Sequence, residues 1–140
     1  MVVPSRRTSP EYNWYVNTKL FSEFLQSIPN FRVNLTEQQL AVIGMAGNIV
    51  LIGRSGTGKT TTSVLRLFAL EVVYKIKALR QRSKEAIFTA EHMDKSVGLH
   101  SIFATASPIL TNEIYRYYRS ITEQVKEELR KKEEKVKLRE

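Results

Sequence analysis

Apolar positions fall into a few clear patterns along the chain. Over residues 12–28, Leu20, Phe21, Phe24, Leu25 and Ile28 recur at three- and four-residue steps. That period predicts an amphipathic helix, and Pro29 ends it. Residues 1–12 are polar, carry Pro4 and Pro10, and read as a loose tail. At 36–43 a second helix is expected. Thr36 is a good N-cap, and Gln39 three residues on completes a capping box. This helix should end before Gly44 or Gly47.

Residues 48–52, NIVLI, are a short β-branched apolar run closed by glycine. The run predicts a buried strand of the parallel kind. A long helix is then expected from residues 58–60 to about residue 82. Its first half (Val64, Leu65, Leu67, Phe68, Leu70, Val72, Val73) is apolar nearly all round, as in a helix covered on several sides. Residues 83–100 have no clean period and read as a connecting loop with one helical turn. A second strand is expected over 101–106, with Pro108 interrupting the ladder after it. From about Leu110 a final helix carries an apolar stripe of Ile114, Tyr117, Tyr118, Ile121 and Val125. Its charged end pairs Glu127/Lys131, Glu128/Lys132 and Glu133/Lys137 at i,i+4. Strand, crossover helix and strand make a right-handed βαβ unit, so the expected fold class is α/β with parallel strands.

Composition limits the function. The chain has 140 residues, 42% hydrophobic and 26% charged, which fits about one globular domain. No apolar run is long enough for a transmembrane helix, and the N-terminus lacks a secretory apolar core. The absence of cysteine excludes disulfides and thiolate metal sites, and favours an intracellular address, nuclear or cytoplasmic. Net charge is +8. Between Arg54 and Lys84 eight Lys/Arg face one acid, Glu71, whereas from Glu113 onward the balance is nine to seven. The positive excess therefore lies on and just after residues 53–60, which fits either a polyanion partner, nucleotide or nucleic acid, or a solvated basic helix face.

Residues 53–60 read GRSGTGKT. Gly53, Gly56 and Gly58 let the backbone take positive φ and approach a ligand. Successive N–H groups of Gly53, Arg54, Ser55, Gly56, Thr57 and Gly58 then form an anion nest. The helix that follows adds its dipole and free N–H donors. In this G-x-x-x-x-G-K-[ST] pattern Lys59 reaches the β- and γ-phosphates and the Thr60 hydroxyl is a ligand of Mg²⁺. Thr61, with Thr62, stands near the α-phosphate. The ligand expected from this pattern is a nucleotide with Mg²⁺.

Two flanking segments narrow the class. LTEQQLA, residues 35–41, resembles the glutamine motif of superfamily 1 helicases of the UvrD/Rep type. The resemblance places Gln39 on the adenine edge, where a carboxamide offers a donor and an acceptor, and so makes the expected nucleotide ATP. The other reading of Gln39 is a cap residue alone. FATASPILTNEI, residues 103–114, resembles motif Ia of the same family, in which a Thr-rich turn touches single-stranded nucleic acid; Thr105, Ser107 and Asn112 match. The alternative there is a strand end and an ordinary helix cap at Thr111. Over residues 30–120 the chain looks most like the animal TPR-and-ankyrin-repeat-containing helicase-like proteins. Arg54-Ser55 replaces the Ala-Gly pair common in bacterial members, and the segment before the second strand is longer and more polar.

The resemblance implies a partial P-loop NTPase (RecA-like) domain, truncated before Walker B. The expected divisions are a tail and helix at 1–29, the ATP-binding part at 30–122 and a charged helical tail at 123–140. Lys59 and Thr60 would be the catalytic residues of an ATP-dependent motor on nucleic acid. An NTPase also needs an acidic strand end to hold Mg²⁺ and orient water. No apolar strand here ends in Asp or Glu, and the sole aspartate, Asp94, has polar neighbours. The chain therefore reads as a fragment that binds nucleotide and hydrolyses it negligibly alone. One competing class is a small P-loop nucleotide kinase, with Arg80, Arg82, Arg116 and Arg119 as lid residues. Another is a non-catalytic nucleotide-binding interaction module. His92 and His100 lack the further ligands a metal site needs. Tyr115, Tyr117 and Tyr118, with Arg116 and Arg119, read either as base-stacking groups or as a core stripe. The sequence leaves oligomeric state open.

Overall fold

The computed structural model describes residues 2–4, 21, 35–45, 47–54, 56, 58–95 and 101–140. In chain order these form β1 (Val2–Pro4), α1 (Glu37–Gly44), β2 (Ile49–Leu51), α2 (Lys59–Arg82), α3 (Ala90–Asp94) and α4 (Pro108–Lys137). The helix expected over 12–28 lies outside the described residues except for Phe21, which is helical and buried.

The expected parallel α/β sheet, and with it the RecA-like P-loop fold class, does not form. The described residues are mostly helical. β2 pairs antiparallel with β1, in the register Val2↔Leu51, Val3↔Val50 and Pro4↔Ile49. A parallel strand needs both faces covered, but Val50 and Ile52 are 59% and 68% exposed. The second expected strand, 101–106, does not form: these residues join no ladder. Exposure alternates only over residues 102–105, with Phe103 and Thr105 half-buried and Ile102 and Ala104 exposed. What the segment lacks among the described residues is a strand to pair with.

The core is built by helices on helices. Leu65, Phe68, Ala69, Val72, Val73 and Ile76 run down α2 at three- and four-residue steps and are buried. Ile43 of α1, Met93 of α3, and Ile121, Val125 and Leu129 of α4 close around them, with Phe21. Tyr117 and Tyr118 pack half-buried against this cluster, and Phe68 meets Tyr118 edge to face at 6.1 Å. Both tyrosines thus serve the core stripe, and burial raises the Tyr117 pKa. Among the described residues no helix is long and apolar enough to cross a membrane.

Local signals set the helix ends. The α1 capping box forms as its residues require: Gln39 N donates to Thr36 Oγ1 at 3.2 Å and Thr36 N to Gln39 Oε1 at 3.0 Å. α1 runs through Gly44 and so ends before Gly47, the later of the two expected stops, and α2 covers Lys59–Arg82 as expected. The one turn expected within 83–100 is α3. α4 begins two residues earlier than the apolar stripe suggests. Ser107 is its N-cap, accepting from Leu110 N, and Pro108 sits in the first turn, where its missing N–H costs nothing. The cap is Ser107, not Thr111.

Polar contacts hold α3 between the two long helices. Lys75 is buried and donates to the Met93 carbonyl, with Glu71 at 3.0 Å. Glu133 of α4 accepts from Ala90 N at 2.8 Å, filling a free donor in the first turn of α3. The expected i,i+4 pairs give way to i,i+3 geometry: Lys131 meets Glu128 at 3.1 Å and Arg130 meets Glu127 at 3.8 Å.

Lys126 pairs with Asp94 and with Glu123. Its hydrogen bond to Asp94 holds that carboxyl below its ordinary value of 3.8 and raises the ammonium pKa. The Asp94 contribution to stability is therefore complete above pH 3.8 and is lost as pH falls through the depressed value. Lys126 stays charged throughout that window, and its own share is lost only as pH rises through its raised pKa. Urea unfolding of wild type and Asp94→Asn should show a gap at neutral pH that closes in acid. A gap independent of pH would mean that the charge on Asp94 contributes no stability.

Candidate functional site

The 53–60 loop leaves β2 and enters α2, so strand, loop and helix stand in the order the motif needs. Ser55 and Thr57 lie outside the described residues. Gly56 and Gly58 have φ of +81° and +80°, the left-handed region that side chains disfavour. Gly53 was expected to share that conformation and does not. Its contribution is a carbonyl.

Lys59 organises the loop. Its ammonium donates to Gly53 O at 2.6 Å and also to Arg54 O. The chain thus wraps around its own lysine, and two backbone carbonyls supply the negative partner that a phosphate would otherwise provide. The helix end beside it is open. Gly58 is the N-cap of α2 and offers no side-chain acceptor to the first N–H groups. Thr60 is exposed and Thr61 half-buried. Thr62 has turned away: its hydroxyl donates to Gly58 O at 2.8 Å inside the first turn. Ser63 does likewise to Lys59 O.

α1 packs on α2 and brings Gln39 to this end. A Cβ on Gly58 would stand 3.0 Å from Gln39 Nε2. Glycine at 58 is therefore required twice, by φ and by space. Gln39 Oε1 already accepts from Thr36 N. A carbonyl oxygen has a second lone pair and Nε2 two protons, so capping α1 does not exhaust the amide.

Charge near the loop is less exposed than the sequence suggests. Arg66 donates from Nη2 to Met45 O and Gly47 O, both at 3.1 Å, and ties α2 to the turn before β2. Burial lowers its pKa, and its Nε has no partner among the described residues. With Lys75 also inside, two of the eight bases counted between Arg54 and Lys84 serve packing.

The three residues matched to motif Ia gather at the start of α4, and the structure uses two of them locally. Thr105 Oγ1 accepts from Ser107 N at 3.3 Å, and Ser107 caps the helix. Asn112 is exposed in the first turns of α4. His92 closes a capping box with Thr89 at the start of α3, and His100 lies outside the described residues. Among the described residues no three His, Cys, Asp or Glu gather to hold a metal. Spacing along the chain does not reveal the carbonyl pair around Lys59, nor a cavity between α2 and α4 that Glu71 and Phe103 help to line. No protein-family model, curated protein or solved structure matches this chain.

Proposed function

We propose that the loop from Gly53 to Thr60 binds the phosphates of ATP, in the role the resemblance to UvrD-like helicases implies for it. One observation carries the reading. Lys59 is held by the carbonyls of Gly53 and Arg54, inside a loop whose two positive-φ glycines open a helix with no side-chain cap. A triphosphate would take over the ammonium and meet the free N–H groups at the start of α2. Mg²⁺ would arrive on the phosphates. Thr60 can add one oxygen to its shell, as Mg²⁺ sites on nucleotides require few protein ligands. Arg54, Gly56, Gly58 and Thr61 would line the phosphate chain, and Gln39 would meet the base.

The proposal is binding, with hydrolysis negligible in this chain. Neither described strand ends in an acid that would orient water. The kinase and helicase readings both need that group, so neither is favoured over nucleotide binding itself.

Base recognition supplies the test. Gln39→Ala should weaken ATP by roughly twofold to tenfold, the effect of one or two neutral hydrogen bonds, and leave GTP unchanged. Thr36→Ala disturbs the same helix cap but keeps the amide, and should leave the ATP:GTP ratio at its wild-type value. A ratio unmoved by Gln39→Ala assigns Gln39 to the cap alone and removes adenine from the proposal.

A further inference from the structure

A cavity of about 430 Å³ lies between α2, α4 and the segment that precedes α4. Its walls are of two kinds. Val64, Leu67 and Ile114 are aliphatic, whereas Phe103, Tyr115 and Tyr118 are aromatic. Glu71 is the one charged residue in its lining, with Ser101 and Thr111 as the polar ones. The size and the mix of apolar walls with few polar groups are those of a small-ligand site.

The signs of charge select the ligand. Aromatic faces carry negative potential, and the Glu71 carboxylate adds negative charge that its ion pair with Lys75 offsets in part. Glu71 is the single acid between Arg54 and Lys84. Lys75 occupies one position on its Oε1 at 3.0 Å, while a carboxylate has about four lone-pair sites. The Thr111 hydroxyl is already donated to Ser107 O. The aromatic faces offer a phosphate-bearing ligand no positive partner in the lining. A bare metal ion would find one carboxylate and no ring of oxygens. An organic cation with a short apolar stem fits both the rings and the aliphatic wall.

The geometry points to this cavity as a binding site for an alkylammonium group, held by Phe103, Tyr115 and Tyr118 around the cation and by Glu71 as its counter-charge. The group enters past Tyr115, which is 64% exposed. The site is separate from the phosphate loop: it draws its residues from later turns of α2 and from the start of α4.

Titration of the full chain with Nε-trimethyl-lysine in a short capped peptide, with choline, and with the neutral tert-butyl analogue of that peptide tests the assignment. Backbone amide shifts locate each ligand. The ammonium should shift residues of the cavity and bind at least about fivefold more tightly than its neutral analogue. Tyr115→Leu should lower affinity by roughly threefold to thirtyfold, Tyr115→Phe should retain it, and Glu71→Gln should weaken it. Because Tyr115 is exposed, its replacement leaves the core intact. Choline binding as well as the peptide makes a small quaternary ammonium sufficient, and peptide binding alone makes the partner a modified protein tail. Equal affinity for the neutral analogue overturns the proposal. So does a cavity that takes adenosine or a single-stranded oligonucleotide and ignores the ammonium.

Discussion

Phe68→Ala should destabilise the protein by about 3–5 kcal/mol, the range found when a fully buried phenylalanine is truncated. Phe68 is 1% exposed, lies midway along α2 and meets the Tyr118 ring of α4 at 75°. Its removal leaves a cavity where the long helices meet, and their backbones cannot close it without separating other contacts. Total stability of a domain this size is about 5–15 kcal/mol, so the loss is a large share of the whole. Urea unfolding should give a much lower midpoint at similar slope. Ile102→Ala is the counterpart: that side chain is 90% exposed, and the change should be within about 0.5 kcal/mol. A loss below about 1 kcal/mol for Phe68→Ala would mean that α2 is not the centre of the core.

Lys59→Ala should lower affinity for ATP by roughly tenfold to a hundredfold. A charge-assisted contact to phosphate contributes about 1.5–3 kcal/mol, and each 1.4 kcal/mol is a factor of ten. The free protein constrains how that loss is read. Lys59 bonds two carbonyls of its own loop, so the substitution also frees the loop in the absence of ligand. Both effects weaken binding, one by removing the charge and one by loosening the cradle. Lys59→Arg separates them. It keeps the charge, but its planar fork cannot replace a compact ammonium between two carbonyls. Its affinity should fall between wild type and Lys59→Ala. Unfolding midpoints of all three should agree closely, since this part of the loop is exposed.

The features legible in the sequence were those set by neighbours along the chain. The Thr36/Gln39 box, the stop before Gly47, the start of α2 after Gly58 and the Ile114–Ile121–Val125 stripe all depend on spacings within one or two turns. The start of α4 was also legible, because Ser107-Pro108 is an N-cap followed by proline, but the apolar stripe drew attention to Leu110. Pairing was not legible. Val2–Pro4 is too short to show alternation, and residues 102–105 show it without having a partner. A strand is defined by what lies across from it, and nothing local in 48–52 distinguishes an antiparallel edge from a buried parallel strand. Buried charge escaped for the same reason. Lys75 reads as a solvent-facing helix residue until Met93 and Glu71 are in place around it. At the candidate site the motif identified the loop, while the meeting of Gln39 with Gly58 needed the packing of α1 on α2.

The most direct measurement is titration of a fluorescent ATP analogue, with Mg²⁺, into wild type and Lys59→Ala. Saturable binding by wild type, competed by unlabelled ATP and weakened at least about tenfold by the substitution, is the predicted result. Equal binding by the two proteins, or none by wild type, would contradict it: GRSGTGKT would then be a glycine-rich turn closed on its own lysine, and no phosphate cradle.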